Sequence, residues 1–67
     1  MPDLIAIRNG KLFALELKAE GGRLSQAQRS MIAELRAAGA IADATYGLDD
    51  AIGWLEDAGL LRGSVAV

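Results

Sequence analysis

The 67-residue chain has no cysteine and no histidine, one proline, and only one each of Phe, Trp and Tyr. Without cysteine there are no disulfides and no thiolate–zinc sites. Without histidine there is no imidazole general base, no His metal ligand and no Ser-His-Asp triad. Any metal held by these side chains must take oxygen ligands, which favours Mg²⁺ or Mn²⁺ over zinc. No apolar run reaches membrane-spanning length, and the first residues do not read as a secretory leader, so a cytoplasmic location is expected. A chain this short builds a marginal core, and self-association is the remaining candidate for a staple.

Apolar residues make up 52% and charged residues 24%, a balance suited to a globular fold rather than to disorder. The net charge of −2 argues against simple coating of nucleic acid. Its distribution is uneven. Arg8, Lys11, Lys18, Arg23, Arg29 and Arg36 outnumber Asp3, Glu16, Glu20 and Glu34 in residues 1–40. Beyond them, Arg62 stands alone against Asp43, Asp49, Asp50, Glu56 and Asp57. The basic half is compatible with a local phosphate-binding face, and equally with ordinary solvated helix surfaces.

Asn9-Gly10 between two apolar runs is a strong hairpin signal. With these two as the loop, cross-strand partners have numbers summing to 19, so Ile5 faces Ala14 and Asp3 faces Glu16. Counting from the turn makes Asp3–Glu16 a non-hydrogen-bonded pair, with Cβ atoms about 4.5–5.5 Å apart. Two carboxylates placed there repel unless a cation lies between them. Lys18 lies two residues beyond Glu16, on the same face of the strand. Two acids and a lysine on one sheet face form a pattern suited to divalent-metal phosphodiester chemistry.

The predicted strands are Leu4–Arg8, Lys11–Lys18 and Ile41–Tyr46. Leu4, Ala6, Phe13, Leu15 and Leu17 mark one hairpin face, and Ile5, Ile7, Leu12 and Ala14 the other, so cover on both sides is expected. Gly21-Gly22 breaks the chain after the hairpin, without the spacing of a phosphate-binding loop. Ser25-Gln26-Ala27-Gln28 fits a capping box, and Met31, Ile32, Leu35 and Ala38 form the apolar stripe of the helix it starts. Gly39 ends that helix. Gln28 has two open readings, as a cap alone or as a cap that also faces the acids. Asp49 and Asp50 open a second helix, with Ala51, Ile52, Leu55 and Ala58 on its buried face and Trp54 at the core edge. Residues 60–67 read as a short strand or a tail. The predicted class is α/β, with the order β-β-α-β-α and a mixed sheet, as a single domain over residues 1–67.

Pro2-Asp3-Leu4-Ile5, Glu16-Leu17-Lys18 and Leu24-Ser25-Gln26-Ala27-Gln28 together resemble the PD-(D/E)xK nucleases, and within them the VRR-NUC domain, over roughly residues 2–58. The resemblance implies a minimal restriction-endonuclease-like core and a metal-dependent DNA nuclease of repair or phage replication, acting on branched or structured DNA. It implies Asp3, Glu16 and the Leu17 carbonyl as Mg²⁺ or Mn²⁺ ligands. Lys18 would position the attacking water, and Gln28 would support Lys18 or the metal shell. Family members usually carry a helix and a strand before the Pro-Asp motif, and the helix adds an acid. Met1 directly precedes Pro2, so it reads either as an internal residue taken for a start or as the start of a minimal version. Sheet surface without that cover leads to the expectation of a homodimer, intertwined or side by side. The alternatives are a non-catalytic nuclease-fold module that binds DNA or protein, and an inactive fragment.

Overall fold

A computed structural model describes residues 1–61. Its elements run β1 (Leu4–Arg8), β2 (Lys11–Lys18), α1 (Gln26–Ala37), β3 (Ile41–Tyr46) and α2 (Leu48–Asp57). The sheet order is β1-β2-β3. β1 and β2 are antiparallel with Leu4 opposite Leu15 and Arg8 opposite Lys11, so the register summing to 19 holds. β2 and β3 are parallel, with Ala14 beside Ala42 and Lys18 beside Tyr46. The fold is therefore a mixed α/β sheet in the order that the sequence predicts.

Asn9 and Gly10 both have positive φ, 53° and 74°, as the tight hairpin turn requires. Parallel strands need a crossover, and α1 supplies it between β2 and β3. Ser25 caps α1 in a complete capping box with Gln28. Gly39, at φ 98°, closes the helix, with the Ala40 N–H donating to the Leu35 carbonyl at 2.9 Å.

The faces of β2 pack differently. Ala14 and Ala42 meet Ile32 of α1, with Leu24, Leu35 and Ala44 around them. On the opposite face Phe13 meets Trp54 of α2 edge to face, with centroids 6.2 Å apart. Leu15 on that face is completely buried.

Two expectations need correction. β2 is covered on both faces, but the helices lie toward β3, and Ile5 and Ile7 of β1 stay exposed at 54% and 75%, so the expected cover stops short of β1. Ile52 is 37% exposed and Ala38 is exposed, because each lies round the helix from its buried neighbours, Ala51 and Ile32. α2 starts at Leu48 with Gly47 as its N-cap, and Asp49 and Asp50 lie in its first turn, as the sequence predicts. A strand within residues 62–67 lies outside the described residues, and Leu60 and Leu61 belong to no helix or strand.

Candidate active site at the open end of the hairpin

One step beyond the last paired residues, Leu4 and Leu15, the register brings Asp3 opposite Glu16. Asp3 lies just outside β1, and its carboxylate replaces the ladder there. Asp3 Oδ2 accepts the Leu17 N–H at 2.8 Å. Pro2 explains why the ladder stops. By the same register Pro2 is the hydrogen-bonding partner of Leu17, but proline has no N–H to give. The Lys18 carbonyl accepts the Gly47 N–H on the β3 side at 2.8 Å, so the Leu17 carbonyl, one residue back, points to the opposite side, toward Asp3. Among the described residues it faces that side with no ladder donor.

Glu16 shares the α1 face of β2 with Ala14 and Lys18. It is only 4% exposed. Gln28 reaches it from α1, with Nε2 donating to Glu16 Oε1 at 3.3 Å. The other end of the same amide accepts the Ser25 N–H at 2.9 Å, while the Gln28 N–H donates to Ser25 Oγ at 3.1 Å. The cap and the contact with the acid are thus made by opposite ends of one side chain. Alanines at 14, 42 and 44 let α1 lie close enough for this reach.

The acids perturb each other in opposite directions. The bond from the Leu17 N–H, then a proton shared with Glu16, holds the Asp3 carboxyl below its ordinary value. Burial, then the shared proton and the charge of Asp3, pushes Glu16 up. The Lys18 ammonium favours the ionised form of both. A buried acid raised by its neighbour is an unrelieved cost, of the kind concentrated at functional sites.

The donor set fits a hard divalent cation. Two carboxylates and one carbonyl oxygen leave positions for water and substrate, as such ions use them. No group of three or more acidic side chains that could enclose an ion occurs among the described residues. Sequence reasoning missed the role of Pro2 in freeing a carbonyl, although the signal lay in its register position opposite Leu17.

A family model described as the VRR-NUC domain matches residues 1–48. The chain belongs to this family. The match contains the Pro2-Asp3 step, Glu16 to Lys18, the capping box and the whole of α1 and β3. VRR-NUC membership supports a nuclease-type function on DNA, and members of the family generally use divalent metals. No curated protein and no solved structure matches the chain.

Proposed function

We propose that residues 1–67 form a single nuclease domain that hydrolyses DNA phosphodiester bonds with Mg²⁺ or Mn²⁺. The preferred substrates are branched or structured DNA of repair or phage replication. The observation that carries this reading is the joint placement of Asp3, Glu16 and Lys18 on one face, beside a carbonyl released by Pro2. Asp3, Glu16 and the Leu17 carbonyl would hold the cation. When bound, it supplies Lewis-acid activation of the phosphodiester and of water. Lys18 positions the water and offsets charge developing on the phosphate. Gln28 fixes the Glu16 carboxylate from α1 and ties that orientation to the helix cap.

The reading includes a homodimer. β1 is an edge strand, and Ile5 and Ile7 expose its α1 side. Such an edge is open to pairing with a second copy. Sedimentation should then give twice the monomer mass at micromolar concentration.

The decisive experiment incubates the protein with Mn²⁺ and four-way-junction, flap or linear DNA. Cleavage that falls at least about 100-fold in Lys18→Ala supports the reading. Calorimetry should show Mn²⁺ binding that Asp3→Asn abolishes. DNA binding without metal uptake or cleavage would instead favour a non-catalytic module.

A further inference from the structure

Two of the three aromatic residues serve the core, since Phe13 and Trp54 pack on each other. Tyr46 is different. It is 38% exposed and lies beside Lys18 in the parallel register, on the face that carries Glu16. Adjacent strands are about 4.8 Å apart, so Tyr46 and Lys18 stand side by side on neighbouring strands. Its backbone is clamped on two sides. The Tyr46 N–H donates to Asp50 Oδ2 at 2.9 Å, and the next N–H, of Gly47, donates to the Lys18 carbonyl at 2.8 Å.

Next to Tyr46 lies an open cleft of about 310 Å³, lined also by Leu24, Arg29, Ile32, Arg36, Asp43 and Ala44. Its two cations are not equivalent. Arg36 is committed, donating to Asp43 Oδ1 at 2.6 Å and to the Ala42 carbonyl at 2.7 Å. Arg29 is exposed and forms no ion pair among the described residues. It follows Gln28, the residue bonded to Glu16. The cleft thus offers an aromatic residue, the apolar side chains of Leu24 and Ile32, and one guanidinium without an ion pair among the described residues, beside the Arg36–Asp43 pair and one strand from Lys18.

We infer that this cleft seats an unpaired nucleotide of the substrate strand, with Tyr46 stacking its base and Arg29 holding a phosphate. The inference rests on the nuclease reading and deepens it by naming the substrate class, a strand with an unpaired base beside the phosphate to be cut. Aromatic side chains bind single strands by stacking, and a paired base inside a duplex has no free face to offer. The overall charge of −2 provides no general attraction for DNA, so a local cation matters more.

The test measures binding of the full chain in Ca²⁺ to an oligonucleotide carrying 2-aminopurine, as a single strand and as a blunt duplex. The single strand should bind more tightly, and its fluorescence should be quenched by stacking. Tyr46→Leu should abolish the quenching and weaken binding about 5- to 100-fold, while Tyr46→Phe retains both. Arg29→Gln should keep the quenching and reduce the slope of log affinity against log salt by about 1. Circular dichroism verifies the fold of each variant. If Tyr46→Leu does not fold, the salt slope of Arg29→Gln decides, and an unchanged slope overturns the inference. Equal affinity for duplex, or quenching that persists in a folded Tyr46→Leu, also overturns it. Binding alone is read, so a protein that fails to cut DNA but shows Tyr46-dependent quenching refutes the nuclease reading and leaves the nucleotide seat intact.

Discussion

The two faces of β2 are built from neighbouring residues and serve opposite ends. Under α2 the strand presents Phe13 and Leu15, large buried side chains, the first packed on Trp54. Under α1 it presents Ala14, Glu16 and Lys18, small or charged. The α2 face gains apolar burial. The α1 face gives up much of that gain, and its alanines bring a helix close enough for Gln28 to touch a buried acid. In a chain this small, one strand thus separates holding the fold from holding the site.

The comparison breaks first at Leu15. Among the described residues it is the one large side chain that is fully buried. Leu15→Ala should cost about 2–5 kcal/mol, the usual range for a truncated core leucine. Whole domains of this length are stable by only about 3–10 kcal/mol, so urea unfolding should show a severely destabilised or unfolded protein. An unchanged midpoint would mean that the α2 face is not the stabilising one.

Gln28 sharpens the comparison, because it belongs to both the helix and the site. Gln28→Ala keeps the bond from its backbone N–H to Ser25 Oγ but loses both side-chain bonds, to the Ser25 N–H and to Glu16, and should cost about 1–2 kcal/mol of stability, and activity with it. Gln28→Glu retains a capping-box side chain but sets a third carboxylate beside Glu16. Without metal it should lower the thermal midpoint, because it replaces the donor to buried Glu16 with a like charge, and it should change Mn²⁺ affinity in the opposite sense from Gln28→Ala. If both variants shift stability and metal binding in proportion, the amide acts only as a cap.

Most of this division was legible in the sequence. Asn9-Gly10 set the register, and a period of two then assigned every hairpin residue to its face, Asp3 and Glu16 included. Ser25 and Gln28 marked the helix start. Periodicity could not say how far each helix would extend over the sheet. Ile5 and Ile7 read as buried on pattern alone, yet α1 lies over β3 and leaves them exposed. Tyr46 was equally silent, because its value depends on Lys18 lying next to it in a parallel pair, a contact made only through a crossover. Family resemblance gave the roles of the acids, while the geometry added the part played by Pro2.

Glu16→Gln tests the cost of the α1 face. In the metal-free protein it removes a buried charge directly opposite Asp3, which should stabilise the fold by up to about 1 kcal/mol. The sign of its pH dependence follows from the raised Glu16 carboxyl. The folded chain keeps that proton at a pH where the unfolded chain has released it. Parent stability from this group is therefore present at low pH and lost as pH rises above the ordinary value of 4.5. The advantage of Glu16→Gln should grow across that window, and the variant should lose Mn²⁺ binding throughout. A variant less stable than the parent above pH 6 would show that Glu16 is a structural acid.

The smallest effect concerns the exception on the α2 side. Thr45 is 2% exposed, and its Oγ1 is buried with no hydrogen-bond partner among the described residues. An unpaired hydroxyl of this kind carries a desolvation penalty of about 1–3 kcal/mol. Valine has nearly the same shape and keeps the β-branch suited to a strand. Thr45→Val should thus be neutral or stabilise by about 1 kcal/mol in urea unfolding, with no change in metal affinity. Loss of stability would mean that the hydroxyl is satisfied in solution, for instance by a buried water. Altered Mn²⁺ binding would mean that the two faces are coupled through β3, and the separation of fold from site would fail at the strand that joins them.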